Sequence, residues 1–227
     1  MNRINPLSIR ALVCATLLAA SCSDDNDGNS IAVYQNVVTF TGNQPEGARF
    51  EFQEADDSPA VVLGVSGHVN EEKVKPGTRL LMIYSLPEGY SYGHDCMNVV
   101  LRGLQTIYTA TITPLPHTEA VAANAPIYLN TIYRTGHYIN VTASMPALTG
   151  RSYTLAADET TLGTSNVEAY LTTSTEEEKP MFNENQTLSI DISPVWEMAQ
   201  TKNLTIHINN TNNKYLTSVT FSKTINN

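Results

Sequence analysis

Apolar and polar residues alternate with a period of two in several segments of the chain. These segments lie at residues 50–52, 139–143, 188–192 and 204–208. Because successive side chains of a strand point to opposite faces, each segment is predicted to be a strand with one buried face. The asparagine-rich residues 209–213 separate the last segment from the apolar residues 216–221, which predicts a hairpin. The body of the protein is therefore predicted to be all-β.

The first part of this body predicts a small barrel. Strands are predicted at residues 37–40, 48–52, 61–65 and 79–84. The next apolar segment, residues 97–112, is longer than an ordinary strand of about five or six residues, and Gly103 near its centre indicates a bulge or a sharp bend. About five strands, one of them strongly bent, are typical of an OB-like barrel. We place this domain at residues 34–118.

A break in the pattern follows, at Pro114-Leu115-Pro116 and the alanine-rich residues 119–125. About seven short strands come after it, at the spacing of an immunoglobulin-like β-sandwich. We place this second domain at residues 119–227. A helix of one or two turns is predicted only around residues 195–199, with Ser193 as the N-cap and Pro194 as the first helical residue.

The N-terminus has the pattern of a secretion signal. A basic stretch with Arg3 and Arg10 precedes an apolar run, and small residues stand immediately before Cys22. This arrangement resembles the lipobox of bacterial lipoproteins, although Ala19 stands where Leu is usual, so residues 1–21 are interpreted as a lipoprotein signal peptide. The resemblance implies that Cys22 carries the lipid. A plain cleaved signal peptide is the alternative.

Residues 22–33 are predicted to form an acidic tether between the lipid and the fold. A diacylated cysteine would hold the protein stably at a membrane, because two acyl chains bind where one binds only marginally. An acidic cluster after the lipid cysteine also resembles the surface-export signal of Bacteroidetes lipoproteins. The resemblance implies an outer-membrane lipoprotein exposed at the cell surface, with a periplasm-facing lipoprotein as the alternative. No apolar segment is long enough for a transmembrane helix.

Charge and cysteine content narrow the choice of partners. The formal net charge of −9 opposes nucleic-acid binding, which depends on clustered Lys and Arg. After loss of Cys14 with the signal peptide and modification of Cys22, Cys96 is predicted to be alone in the mature chain. An intramolecular disulfide is then excluded, and stability must come from core burial.

Several segments have superficial similarity to catalytic or metal sites. Ser66 stands in Gly-Val-Ser-Gly-His, but its second glycine is one position early for an esterase elbow. Cys96 follows His94 and Asp95, yet neighbouring residues of a strand point to opposite faces, so a small core residue is the favoured interpretation. The five histidines lack paired spacing, and no metal or other cofactor is predicted. The acidic residues are interpreted as solvated loop charge; they are Glu51, Glu54, Asp56, Asp57 and Glu176–Glu178.

Tyrosines around residues 86–89 are the most suggestive binding feature. Tyr84, Tyr90 and Tyr92 lie beside the strand of an OB-like barrel where ligands tend to bind. Tyr84 is predicted to pack in the core. Tyr90 and Tyr92 remain as candidates for contact with a glycan or a protein, since exposed tyrosines supply amphipathic contact area.

Three longer segments resemble the NigD-like lipoproteins of Bacteroidetes. They are residues 75–84 (KPGTRLLMIY), 132–140 (IYRTGHYIN) and 188–193 (LSIDIS). The resemblance implies an OB-like domain followed by a β-sandwich, and it implies no established biochemical activity.

The expected function is therefore that of a noncatalytic binding or interaction module at the envelope. An accessory of bacteriocin production or immunity is the alternative. A hydrolase of envelope or glycan substrates is disfavoured, because no convergent catalytic set is apparent in the sequence.

Overall fold

The computed structural model describes residues 31–87, 97–146, 151–175 and 183–223, and strands dominate these ranges, so the predicted all-β class is confirmed. The described strands are β1 (Val33–Gln44), β2 (Gly47–Phe52), β3 (Val61–Val65), β4 (Arg79–Ser85), β5 (Met97–Thr106), β6 (Tyr108–Thr111), β7 (Thr113–Leu115), β8 (Pro126–Thr135), β9 (Tyr138–Pro146), β10 (Arg151–Asp158), β11 (Asn166–Thr175), β12 (Asn183–Asp191), β13 (Asn203–His207), β14 (Asn209–Asn210) and β15 (Ser218–Ser222). The described α-helices are α1 (His117–Ala122) and α2 (Ser193–Trp196). Neither they nor any other described helix has the length and hydropathy of a membrane-crossing helix.

The first five strands form a closed barrel in the order β1-β2-β3-β5-β4. Strand β1 pairs with both β2 and β4, while β3 and β5 pair in parallel. The apolar face of each strand points inward, as the two-residue alternation predicts. The largest buried residues of the barrel core are Phe40, Phe50, Leu63, Leu80, Met82 and Tyr84.

The bend predicted near Gly103 is present as an irregularity between β4 and β5. Ile83 pairs with Gly103 and Tyr84 pairs with Leu101, which leaves Arg102 as an extra residue on β5. The prediction of one continuous strand over residues 97–112 is wrong at its C-terminal end. Ile107 separates β5 from β6, and β6 pairs with β12 outside the barrel. Because Ile107 is itself apolar, no polar residue marks this crossing in the sequence.

The remaining strands form two sheets, which in the described ranges have the orders β15-β13-β11-β10-β7 and β14-β8-β9-β12-β6. The two sheets bury one common apolar core. Its fully buried members include Ile139, Val141, Met145, Leu155, Leu171, Ile190 and Leu204. The predicted hairpin is confirmed, because β13 and β15 pair in antiparallel register, and β14 leaves this hairpin to pair with β8.

The sequence predicts the boundary between the two units near residue 118. In the structure β6 and β7, which precede that residue, already belong to the two sheets of the second unit. Helix α1 then occupies part of the alanine-rich segment, where the sequence predicted only a break in pattern, so that prediction is wrong. A helix of six residues is too short to show a helical period, and burial of Ala120 stabilises it instead.

Helix α2 is close to the predicted position, with Pro194 in its first turn. Its N-cap is Ile192 rather than the predicted Ser193. The Ser193 amide donates instead to Asp191 Oδ1 at 2.8 Å, so a side chain preceding the helix replaces the predicted cap.

A buried arginine on the barrel joins it to the sheet that contains β9 and β12. Arg79, at the start of β4, donates to Ser189 Oγ at 3.0 Å and to Asn140 Oδ1 at 3.1 Å, and its third bond goes to Thr39 of the barrel. Its guanidinium also lies 4.3 Å from the ring centroid of Tyr138. Burial lowers the pKa of Arg79, an effect that Tyr138 partly offsets. The guanidinium therefore keeps its charge by bonding to neutral acceptors and facing an aromatic ring.

A second buried arginine, on the sheet side of the junction, joins the same two units. Arg134, at the end of β8, donates to both carboxylate oxygens of Asp57 at 2.8 and 2.7 Å. It also donates to the Gly136 carbonyl and stacks over Trp196 at 4.7 Å. Backbone bonds of Asp56 to Arg134 and Gly136 complete this contact. Asp57 is a half-exposed loop residue, as predicted, but its pairing with Arg134 was not predicted because the two residues are far apart in the sequence.

Replacing Arg134 with lysine should destabilise the protein. A single ammonium cannot reproduce the two parallel bonds to Asp57 together with the bond to Gly136, so we expect the free energy of unfolding to fall by about 2 kcal/mol. Urea denaturation measures this change. Arg49→Lys is the matched control, because the ion pair of Arg49 is a longer contact of 3.7 Å with the exposed Glu46. Equal stabilities for the two variants would contradict the role assigned to Arg134.

Candidate ligand-binding cleft

Only some of the candidate residues predicted from the sequence lie within the described part of the chain. Tyr90, Tyr92, Cys22 and Cys96 lie outside the described residues. Tyr84 is completely buried in the barrel, as predicted, where its hydroxyl donates to Asn36 Oδ1 at 3.0 Å and its ring stacks on Tyr34.

The Ser66 segment lacks the geometry of an esterase elbow. Ser66 is exposed in a bend directly after β3, and residues 66–78 contain bends and turns rather than a helix. The His68 ring contacts the Gln44 carbonyl oxygen at 3.1 Å. The residues that gave the motif its appearance thus belong to the rim of the barrel.

The acidic residues of the β2–β3 loop serve the junction between the two units. The hydrogen bonds from Arg134 are the largest influence on Asp57 and hold the pKa of this carboxyl below its ordinary value, against the opposing effect of burial. Within the described ranges, no group of three His, Cys, Asp or Glu side chains is placed to hold a metal ion.

A cleft opens between the barrel and the sheet, next to the Arg79 contact. Leu81 follows Arg79 by two residues on β4, and Thr187 precedes Ser189 by two residues on β12, so each lies on the same face of its strand as its neighbour. Arg79 and Ser189 bond to each other, whereas Leu81 and Thr187 line open space. The cleft therefore begins where the arginine contact ends.

This cleft has a volume of about 320 Å³ and an uncharged lining. The residues with amide side chains are Gln105, Asn185 and Gln186, and those with hydroxyl groups are Thr106, Tyr108 and Thr187. Leu81 and Ile107 supply apolar surface. Amides and hydroxyls both donate and accept hydrogen bonds, and Tyr108 adds an aromatic ring. Such a surface suits a neutral ligand rich in hydroxyl or amide groups.

No pattern in the sequence indicates this cleft. Its lining comes from β4, from the β5–β6 crossing and from β12, and each of these residues belongs to an ordinary strand pattern when considered alone. Only the packing of β12 against the outside of the barrel brings them together. Alternation along the strands does show that Gln105 and Asn185 lie outside the cores, but not that they face each other.

A second polar cluster lies on the outer face of the β10–β11–β13 sheet. Tyr170 of β11 stacks on His207 of β13, with ring centroids 4.6 Å apart, and His117 meets Tyr170 edge-on at 6.3 Å. Each histidine contacts a carboxylate, His117 with Asp158 at 2.6 Å and His207 with Glu168 at 2.5 Å. Because β10 and β13 flank β11 on opposite sides, Tyr170 separates the two histidines.

Asp158 is the buried member of this cluster, and its carboxylate is fully hydrogen-bonded. Oδ1 accepts from the amide and the hydroxyl of Thr160, and Oδ2 contacts His117. Burial alone raises the pKa of Asp158, but these hydrogen bonds bring it below the ordinary value of 3.8. The carboxylate therefore stabilises the fold in its ionised form.

Replacing Asp158 with asparagine should cost stability at neutral pH and much less in acid. We expect the free energy of unfolding to fall by about 1–2 kcal/mol at neutral pH, because the bonds lose their charge assistance. The contribution of a carboxyl with a lowered folded pKa is present above its unfolded value and is lost as the pH falls through the folded value. The difference between the two proteins should therefore narrow below about pH 4.

Urea denaturation across this pH range measures the effect, with Glu159→Gln as the control because Glu159 is exposed next to Asp158. A destabilisation that is constant with pH would show that Asp158 acts through packing instead of charge.

Several solved structures from Bacteroidetes have a similar fold. The chain is similar to a DUF1344 protein of unknown function from Bacteroides vulgatus, with a TM-score of 0.61, 16% identity and coverage of 86% of this chain and 92% of that one. A candidate lipoprotein from Bacteroides fragilis has a TM-score of 0.56 and 14% identity, with coverage of 85% of this chain and 99% of that one. A NigD-like immunity protein from Bacteroides caccae has a TM-score of 0.52 and 17% identity, with coverage of 86% of this chain and 94% of that one.

No protein-family model matches the chain, and no curated protein matches it in sequence. The similarity to these structures therefore concerns the fold alone, with sequence identities of 14–17%. At that level the predicted resemblance to NigD-like lipoproteins is confirmed: this chain has the fold of a NigD-like immunity protein and of a candidate Bacteroides lipoprotein.

Proposed function

We propose that this protein is a lipid-anchored envelope protein of the NigD-like type that acts as a noncatalytic binding module. Its N-terminus supports the anchor, because Cys22 follows a secretion signal and precedes an acidic tether. Similarity to the fold of a candidate Bacteroides fragilis lipoprotein adds independent support.

We also assign the two units as an OB-like barrel and an immunoglobulin-like β-sandwich. The order β1-β2-β3-β5-β4, with β3 and β5 parallel, supports the first assignment. Two facing sheets around one apolar core support the second. In this architecture the ligand would contact both units.

The uncharged cleft between the barrel and β12 carries this proposal. Ligand sites occur preferentially between domains, and they combine apolar surface with a few polar groups that orient the ligand. Here residues with amide and hydroxyl side chains line a space of about 320 Å³, and the buried Arg79 next to it fixes the separation of the walls. The ligand class that fits best is a neutral glycan, with an uncharged peptide segment as the protein alternative.

A noncatalytic role agrees with the chemistry of the lining. Hydrolysis of a glycosidic bond ordinarily requires two carboxyl groups that face each other across the substrate. The lining contains no Asp, Glu, His or Cys among the residues that the structure describes. Its hydroxyl and amide groups orient a ligand but supply no general acid at neutral pH.

An accessory role in bacteriocin immunity is the second candidate. The observation that favours it is the similarity of fold to a protein described as NigD-like immunity protein. A deletion strain that becomes more sensitive to a bacteriocin, with sensitivity restored to normal by the gene in trans, would support it. Unchanged sensitivity would leave ligand binding in the cleft as the function.

The proposed location is the outer membrane, with the body exposed at the cell surface. Protease treatment of intact cells tests the orientation, with a periplasmic protein followed in parallel. Loss of this protein while the periplasmic control survives would support surface exposure. Protection until the outer membrane is broken would support the periplasm-facing alternative.

The double variant Gln105→Ala/Asn185→Ala should weaken binding of a neutral polysaccharide. Each lost hydrogen bond is worth about 1 kcal/mol, so we expect an increase in Kd of roughly tenfold or more. Affinity electrophoresis in gels containing mannan, dextran or xylan measures the change. Gln35→Ala is the matched control, because Gln35 is an exposed amide on β1 outside the cleft. Polysaccharide retention that is identical in all three proteins would refute the cleft as the site.

Replacing Cys22 with serine should release the protein from membranes or stall its processing. A serine hydroxyl cannot receive the thioether-linked diacylglyceryl group, so the two-chain anchor is lost. Membrane fractionation and the apparent mass of the precursor measure the outcome. Cys96→Ser is the control that preserves the anchor. Normal maturation and membrane retention of the Cys22→Ser protein would disprove lipidation.

A further inference from the structure

Exposed apolar residues are concentrated at one end of the barrel wall. Eight large hydrophobic side chains are exposed in the described part of the chain, and four of them belong to this end, with exposed fractions between 37% and 61%. We refer to these four as the apolar rim; they are Ile31, Val33, Val100 and Leu101.

Strand pairing places the rim residues side by side. Val33 of β1 pairs with Ser85 of β4, and Ser85 pairs in turn with Val100 of β5. Ser85 is fully buried, and Arg102 donates to its hydroxyl at 3.1 Å. Val33 and Val100 therefore flank a covered serine on one row of the sheet. Leu101 pairs with Tyr84 and lies on the other face of β5 at the same end of the barrel, and Ile31 stands two residues before Val33.

The wall that carries the rim contains no acidic residue. Strands β1, β4 and β5 have Arg79 and Arg102 as their charged residues and lack Asp and Glu altogether. The full chain has 22 acidic residues and a net charge of −9, so the barrel excludes negative charge from this wall while the rest of the protein carries it. Anionic lipid headgroups repel an acidic surface and attract a basic one. No carboxylate of these three strands therefore opposes their approach to such headgroups.

The rim also lies where the tether enters the fold. Ile31 follows Cys22 by nine residues, which span at most about 30 Å when fully extended. On the proposed lipid anchor, the rim is therefore the described surface that the tether holds near the bilayer. Apolar side chains within that reach gain free energy by entering the interface between headgroups and acyl chains.

We propose that the apolar rim seats the barrel on the lipid surface that holds the anchor. This inference rests on the lipid anchor of the proposed function and adds an orientation to it. Ile31, Val33, Val100 and Leu101 enter the membrane interface, and Arg102 faces the headgroups beside them. The sandwich unit and its acidic residues then point away from the lipid.

Fluorescent probes on the full processed lipoprotein test this orientation. Single cysteines are placed at Val33 and Val100 in a Cys96→Ser background, labelled with an environment-sensitive fluorophore and reconstituted in vesicles of phosphatidylethanolamine and phosphatidylglycerol. Cysteines at Val121 and Tyr128 are the matched controls, because both residues are exposed and hydrophobic but belong to the second unit. Lipids carrying a quencher near the headgroup report contact with the membrane.

The expected result is a blue shift and a loss of intensity with quencher lipids for probes at Val33 and Val100, and neither effect at Val121 or Tyr128. Val33→Glu should abolish the quenching at Val100, whereas Val121→Glu should leave it unchanged. Probes at Val33 and Val100 that behave as in water, or all four probes quenched alike, would overturn the inference.

Flotation of the same vesicles distinguishes a failure of the proposed barrel orientation from a failure of the proposed lipid anchor. Protein that floats with the vesicles while its rim probes remain in water contradicts only the seating of the barrel. Protein that does not float contradicts the lipid anchor, and the seating of the rim is rejected with it. A blue shift without lipid quenching, accompanied by doubling of the particle mass, would assign the rim to a contact between two copies instead.

Discussion

The bonds of one buried guanidinium hold the two units in a fixed relation. Arg79 begins a barrel strand, yet two of its three hydrogen bonds go to Asn140 and Ser189 of the neighbouring sheet. Burial of an arginine without a carboxylate is costly unless its donors are satisfied, and here neutral acceptors and the Tyr138 ring satisfy them. Arg134 reinforces the contact from the other unit through Asp57. The cleft exists because these contacts fix its walls.

The three segments that resemble NigD-like lipoproteins contribute residues to this junction. Arg79 belongs to residues 75–84, Arg134 and Asn140 to residues 132–140, and Ser189 to residues 188–193, which are the three segments that carry the resemblance. All three converge on the junction in the folded chain. Within this chain the junction specifies how the two units pack, and none of its bonded side chains lines the cleft.

Strand positions could be predicted from the sequence because two-residue alternation is a local signal, and β2 and β13 show it clearly. Helix α1 could not, since six residues give no helical period and the burial of Ala120 depends on strands distant in sequence. The cleft was missed for the same reason: Gln105 and Asn185 become neighbours only through packing of the two units. Pairing of Arg134 with Asp57 was likewise inaccessible to local patterns.

The arginine junction also couples the orientation of the barrel on a membrane to the direction of the ligand-binding cleft. Strand β5 carries two residues of the apolar rim, and β4 and β5 together contribute one wall of the cleft, while β12 contributes the opposite wall. If the two units moved independently, contact of the rim with lipid would constrain only half of the cleft. Because Arg79 and Arg134 hold both walls together, any orientation of the barrel on a membrane also fixes the direction of the cleft opening. Anchor, barrel and cleft would then present a ligand at a defined height above the lipid.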